Sequence, residues 1–366
     1  MKFRKVLFRI LLVIITFLGI TFAGLNYTLY SICHGPSETA RDLFVSTILE
    51  TGALQFLASW YFSEEEILAI TNRNAMSQTT EDVDPNLIVI KSTEEGPGGS
   101  SDTLEEEFDF DENGIAIIEM TGRAYMAKLM VIKDPSKVKL STIYPWSDMN
   151  HSKNGVTLEE LVKKTNAVAG INGGEYFSEG NWGGRPKGVT VCEGQIQYND
   201  PKKGDVMVGF NEDNILVIKD VGGMSAKQVE EVIKSERIRD AVSFKDEENG
   251  DSNHFTKLII NGNAREISGN GSGANPRTAI GQRSDGTVLM LVTDGRGASG
   301  HLGATAADLL SIMEEYGAVN AANLDGGSSS AMYYKDKYEM TSVTLYYSTS
   351  SWKLPTGFVV MGKEAE

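Results

Sequence analysis

Asn275-Pro-Arg-Thr-Ala-Ile-Gly-Gln-Arg-Ser-Asp-Gly-Thr-Val-Leu-Met-Leu-Val-Thr-Asp-Gly-Arg296 holds two apolar runs joined by Ser284-Asp285-Gly286. Two such runs around an Asp-Gly pair predict a β-hairpin. The second run, Thr287 to Val292, is continuously apolar, which predicts a strand covered on both faces. It ends in a polar glycine turn, Thr293-Asp294-Gly295-Arg296. Two further turns of this kind follow apolar runs: Ala167-Val-Ala-Gly-Ile-Asn-Gly-Gly-Glu-Tyr-Phe177 and Asn323-Leu-Asp-Gly-Gly-Ser-Ser-Ser-Ala-Met-Tyr-Tyr334. Glycine permits sharp turns and close approach of a ligand. Three such turns predict one convergent polar site.

Working outward, Ile115–Met120 and Ala127–Asp134 read as strands, as do the runs within 188–197, 204–210 and 213–220. Thr157-Leu-Glu-Glu160 and Ser225-Ala-Lys-Gln228 are capping boxes that open helices. Asn261-Gly262 marks a hairpin. Thr305 opens a helix with an apolar face of Ala306, Leu309, Leu310 and Met313, and Gly317 is its expected C-terminal stop. The predicted class is α+β (mixed α/β), a largely β-sheet core with a few packed helices.

The N-terminal third differs. Residues 1–30 carry Lys2, Arg4, Lys5 and Arg9 and no acid; residues 31–112 carry 18 acids against three bases, a net −15. Val6–Tyr30 is long and apolar enough to cross a bilayer, and the basic cluster before it keeps the N-terminus cytoplasmic. A cleaved signal peptide is the competing reading. Ser37–Phe62 has helical periodicity, with Leu43, Phe44, Thr47, Ile48 and Thr51 recurring. The expected divisions are a basic tip and transmembrane anchor at 1–32, a helical stalk at 33–75, an acidic flexible linker at 76–112 and a folded domain at 113–366. The folded domain has no long basic stripe, so nucleic acid is not an expected partner. The two cysteines, Cys33 and Cys192, are expected to be free. The four histidines show no metal-ligand spacing, and GxSxG, Walker, dinucleotide and HExxH motifs are absent.

Asp325, at the end of a buried strand, is presented with Gly326, Gly327 and Ser328, whose N–H and hydroxyl groups suit an anion or a hydroxyl. Arg277 and Arg296 lie at adjoining ends of the hairpin and offer forked donors matched to phosphate. Asn172, Gly173, Gly174, Glu175 and Tyr176 supply an amide, a carboxylate and an aromatic face, and Trp182 a second aromatic face for a sugar ring.

Together the three motifs, in this order and with the helix between the last two, resemble the phosphodiester glycosidase family over about residues 113–362. The resemblance implies hydrolysis of the bond between a sugar's anomeric carbon and a phosphodiester oxygen, and an extracytoplasmic site on a membrane-anchored chain. The matching positions are Asn172, Gly173 and Gly174; Arg277, Asp294, Gly295 and Arg296; and Asp325, Gly326, Gly327 and Ser328. Glu175 departs from the family pattern, which points to substrate choice as an alternative to catalysis.

The expected mechanism assigns Arg277 and Arg296 to phosphate, Asp325 and Asp294 to acid, base or nucleophile, Asn172 to sugar hydroxyls, and Tyr176 or Trp182 to the ring. The expected substrates are sugar-phosphate links in cell-wall or exopolysaccharide glycans, with no required cofactor. Two alternatives stand beside it. One is a non-catalytic glycan-binding module. The other is a phosphodiesterase in which Asp325, Asp294 and Glu175 hold a divalent cation and the P–O bond breaks.

Overall fold

A computed structural model describes residues 2–51, 54–90, 107–143, 154–177, 183–246, 254–297, 300–342 and 349–363. The helices are α1 (Lys2–His34), α2 (Glu38–Leu49), α3 (Phe56–Tyr61), α4 (Glu64–Arg73), α5 (Leu158–Lys164), α6 (Ala226–Ser235) and α7 (Ala306–Glu315). The strands are β1 (Ile115–Thr121), β2 (Met126–Ile132), β3 (Val138–Thr142), β4 (Ala167–Asn172), β5 (Tyr176–Phe177), β6 (Arg185–Pro186), β7 (Gly188–Cys192), β8 (Gln195–Asp200), β9 (Asp205–Asn211) and β10 (Leu216–Asp220). They continue with β11 (Ile238–Lys245), β12 (Lys257–Ile260), β13 (Asn263–Ala264), β14 (Thr278–Arg283), β15 (Val288–Thr293), β16 (Ala318–Asn323), β17 (Ala331–Tyr334), β18 (Lys337–Thr341) and β19 (Thr356–Met361).

Three antiparallel sheets surround one core. Their orders are β1-β2-β15-β14-β16-β12-β13, β10-β9-β11-β7-β8 and β18-β17-β4-β19-β3. Alternate residues of each sheet point inward: Met130, Ile280 and Met290 from the first, Val208, Phe210 and Ile218 from the second, and Leu140, Ile171 and Phe358 from the third. The opposite faces are covered by one helix each. α7 places Leu309, Ile312 and Met313 on the first sheet, α6 places Val229 and Ile233 on the second, and α5 places Leu158, Leu161 and Val162 on the third. Burying each such side chain stabilises the fold by roughly 1.5–3 kcal/mol. This layering explains why Val288–Val292 reads as unbroken apolar sequence. Val288, Met290 and Val292 face the central core, whereas Leu289 and Leu291 face α7.

Local signals act as the sequence predicts. Thr157, Ser225 and Thr305 each cap a helix with a reciprocal capping box. Asn261 (φ 55°) and Gly262 (φ 77°) both take the left-handed region that a two-residue hairpin turn requires. Gly317 (φ 73°) stops α7. Both cysteines are free.

The expected linker needs correction. Residues 76–90 pair with the folded domain instead of leading away from it: Ser77 N–H donates to Glu266 O and Val89 N–H to Ser284 O. The buried Lys257 Nζ donates to the carbonyls of Thr79 and Glu81 and to Asp220 Oδ2. Phe108 is buried in the core beneath α7. A segment with little to bury is thus held mainly by its backbone groups. Residues 91–106 lie outside the described residues. The packed face of α2 also differs from expectation, centring on Val45 and Ile48 with Asp42 and Ser46. Val45, Ile48, Ala58, Phe62 and Ile70 form a small core with Cys33 at the end of α1.

Candidate functional site

The site lies where the ends of the three sheets meet. β14 runs antiparallel to β16, so the start of one lies beside the end of the other, with Ala279 opposite Asn323. That register brings Arg277 next to the third glycine turn, and Gly327 N–H donates to Pro276 O at 2.8 Å. β4 delivers the first turn from the third sheet, and Glu175 N–H donates to Ser243 O of β11 at 2.9 Å. The result is a cleft of about 300 Å³ lined by Glu175, Tyr176, Arg277, Arg296, Asp325 and Trp352, with Phe244, His254 and residues 326–329 completing it.

Two carboxylates face this cleft in unlike environments. Asp325 is largely packed against protein, and burial pushes its carboxyl up to about 7. A hydrogen bond from Ser329 opposes the shift, and the negative charge of Glu175 adds to it. Ser329 Oγ is also within 2.9 Å of the Tyr176 hydroxyl, which burial and the charge of Asp325 keep protonated. Glu175 is instead paired with a cation. Lys187 Nζ donates to its Oε1 at 2.5 Å, and His254 Nε2 lies 3.9 Å from the same oxygen. Glu175 Oε2 is buried and has no hydrogen-bond partner among the described residues. An acceptor in that state suits a substrate donor.

The guanidiniums form the other wall. Arg296 Nη1 donates to Ser328 Oγ at 2.7 Å. Burial of the guanidinium and the like charge of Arg277 lower its pKa from the ordinary value, yet an arginine stays cationic. Gly327 suits this turn because its φ of 61° lies in the left-handed region that a side chain rarely adopts. Arg277 is 3% exposed and lines the cleft while its Nη2 donates to Glu50 Oε2, Ser272 Oγ and Gly273 O. One wall therefore favours an anion, and the other holds a carboxyl group whose pKa burial raises beside a carboxylate paired with lysine.

A family model described as phosphodiester glycosidase matches residues 165–361, a span that holds every cleft residue named above. The chain belongs to the phosphodiester glycosidase family. It is 47% identical over 64 residues to the SPbeta prophage-derived uncharacterized protein YomE of Bacillus subtilis (strain 168), a stretch covering 18% of this chain and 10% of that one. The chain thus spans about a tenth of the length of that curated relative. Among solved structures it resembles the catalytic domain of zebrafish N-acetylglucosamine-1-phosphodiester alpha-N-acetylglucosaminidase, auto-inhibited by its pro-peptide. That match has 18% identity and a TM-score of 0.47, covering 68% of this chain and 82% of that one. A hypothetical protein from Synechocystis matches at 12% identity and TM-score 0.40, over 68% and 62% of the two chains.

In this family member the structure brings Glu175, Tyr176, Arg277, Arg296, Asp325, Gly326, Gly327 and Ser328 to one cleft. It redirects four other expected residues. Asn172 is fully buried and does not face the cleft: its Nδ2 donates to Asp325 O, and its Oδ1 accepts from Thr278 Oγ1 and Ala331 N–H. Gly173 and Gly174 make room for neighbouring strands, not for a ligand, since a Cβ would lie 2.4 Å from Thr356 Oγ1 or 2.5 Å from Ser243 O. Asp294 does not line the cleft; it extends the β2–β15 ladder by accepting from Met126 N–H at 2.7 Å and holds His301 Nδ1 at 2.6 Å. Asp325, Asp294 and Glu175 are therefore not gathered as one ligand set. Trp182 lies outside the described residues. Phe177 is surface-exposed beneath Arg185 and Lys187.

Sequence reasoning missed His254, Trp352, Phe244, Lys187 and Ser329. The serine run after Asp325 was a signal for Ser329. His254 and Trp352 lie outside the three turns and are brought in only by the meeting of the sheets.

Proposed function

We propose that this chain hydrolyses sugar-1-phosphodiesters by breaking the C1–O bond. The observation that carries the reading is the convergence of Asp325, Glu175, Arg277 and Arg296 on one cleft. Arg277 and Arg296 hold the phosphate, which leaves as a weakly basic phosphate monoester. Asp325, whose carboxyl burial pushes up to about 7, gives its proton to the departing oxygen from its protonated form. Glu175, paired with Lys187, meets the positive charge that develops at C1. Water supplies the oxygen that bonds to C1, and its proton restores a carboxyl group. Trp352 and Tyr176 bound the sugar.

The substrates proposed are sugar-phosphate links in cell-wall or exopolysaccharide glycans. Membrane attachment through α1 is part of the same proposal. The stretch from Phe3 to His34 is long and apolar enough to cross a bilayer, a property it shares with signal sequences. Leu54, Phe56 and Trp60 are exposed near it, and Asn26 of α1 donates to Tyr61 of α3, as suits a membrane surface.

The test is mass spectrometry of products from a panel of sugar-1-phosphodiesters, using the full chain and its Asp325→Asn and Glu175→Gln variants. Release of sugar and phosphate monoester by the wild type, lost by at least a hundredfold in both variants, is the expected result. Binding without turnover in the wild type would reduce the chain to a glycan-binding module.

A further inference from the structure

Arg277 is not held by its own sheet alone. Glu50, the residue after α2, takes the Arg277 Nη2–H on Oε2 at 2.8 Å. The Glu50 side chain is 8% exposed, and its remaining contacts all go to the loop leading into Arg277. Oε1 accepts from Gly273 N–H at 2.6 Å, and Oε2 accepts from Asn275 Nδ2 at 2.6 Å. One turn earlier in α2, Thr47 Oγ1 accepts from Ala274 N–H at 3.0 Å. The approach is close enough that a Cβ on Gly273 would lie 2.6 Å from the Thr47 backbone. Glu50 itself does not line the cleft.

We propose that Glu50 is a positioning residue for Arg277, so that the N-terminal helical segment is a working part of the site and not a spacer. A guanidinium this buried needs a carboxylate partner, because an unpaired buried charge is strongly destabilising. The partner also fixes the plane of the fork, and with it the direction of the donors that meet phosphate. Three donors from the 273–277 loop converge on Glu50, so one side chain sets both the loop and the arginine. The proposal rests on Arg277 holding the phosphate of the substrate.

The experiment uses the full chain in lipid nanodiscs as wild type, Glu50→Gln, Glu50→Asp and Thr47→Val. Thr47→Val loosens the same docking without touching Arg277. Three quantities are measured: kcat and KM on the sugar-1-phosphodiester panel, affinity for inorganic phosphate by titration calorimetry, and the melting midpoint. Glu50→Gln is expected to lower kcat at least tenfold and weaken phosphate binding at least threefold. Glu50→Asp should fall between it and the wild type, and Thr47→Val should keep kcat within twofold at a comparable melting shift. Equal activity losses in Thr47→Val and Glu50→Gln would show a packing role only and overturn the proposal. So would tighter phosphate binding by Glu50→Gln, or wild-type behaviour of Glu50→Asp should the Gln variant not fold. Glu50-dependent phosphate binding without turnover would sink the hydrolase reading and leave the role of Glu50 standing. A wild type that binds no phosphate and turns nothing over would sink both.

Discussion

The Asn172 amide joins two sheets: its Nδ2 donates to Asp325 O at 2.6 Å, while its Oδ1 accepts from Thr278 Oγ1 at 2.7 Å and from Ala331 N–H at 3.2 Å. The end of β4 is thereby bolted to the turn that carries Asp325. Asn172→Ala would leave several buried polar groups without partners, at a cost of about 2–4 kcal/mol. Denaturant unfolding should show that loss together with reduced activity. A loss of stability under about 0.5 kcal/mol would contradict the bolt.

Asp325 predicts an inverse dependence of stability on pH. Its pKa is raised by burial to about 7, against an ordinary carboxylate value of 3.8. Between these values the folded state keeps a proton that the unfolded state has lost, so stability falls as pH rises from about 4 to about 7. Asp325→Asn removes that slope. It should stabilise the chain at pH 8 by about 1–4 kcal/mol while abolishing turnover. Wild-type turnover should decline above pH 7 as the acid ionises. Melting curves across pH 5–8 check the first expectation, and kcat–pH profiles check the second. Parallel melting curves for wild type and variant would remove the buried proton from the account.

Lys187 holds Glu175 Oε1 at 2.5 Å inside the cleft. Lys187→Met leaves that carboxylate without its close cation. Turnover should drop at least tenfold with little change in folding, since Lys187 is partly exposed. Steady-state kinetics and circular dichroism are the measurements. Full activity in Lys187→Met would mean that the Lys187–Glu175 pair has no part in turnover.

The two arginines should separate in their effects. Arg277 is buried in an ion pair, so Arg277→Ala should cost about 3–5 kcal/mol of stability as well as activity. Arg296 is solvent-exposed as a residue and only its guanidinium packs into the cleft, with no acidic partner among the described ion pairs, so Arg296→Ala should leave the melting midpoint nearly unchanged and raise KM at least tenfold. Equal destabilisation by both would contradict their placement.

The β-hairpin 275–296, the capping boxes and the Asn261-Gly262 turn were legible because each depends on local chemistry. So was the double-sided burial of Val288–Val292, which a continuous apolar run announces. The strands Val138–Thr142, Ala331–Tyr334, Lys337–Thr341 and Thr356–Met361 carry no such local signal. β19 lies between β4 and β3, and only non-local pairing fixes it there. The same limit applies to the site. Asp325, Glu175 and Arg296 stand in the glycine turns and Arg277 at the opening end of the hairpin, so all four could be named. That Asn172 points inward, that Asp294 serves a strand ladder, and that Glu50 reaches Arg277 are facts of register and packing. His254 and Trp352 reach the cleft by long-range folding alone.

The central claim is that the bond broken is C1–O. The full chain, incubated with its best sugar-1-phosphodiester in oxygen-18 water and followed by mass spectrometry, tests this directly. The account predicts the label in the released sugar and none in the phosphate monoester. Label in the phosphate would show P–O cleavage and contradict it.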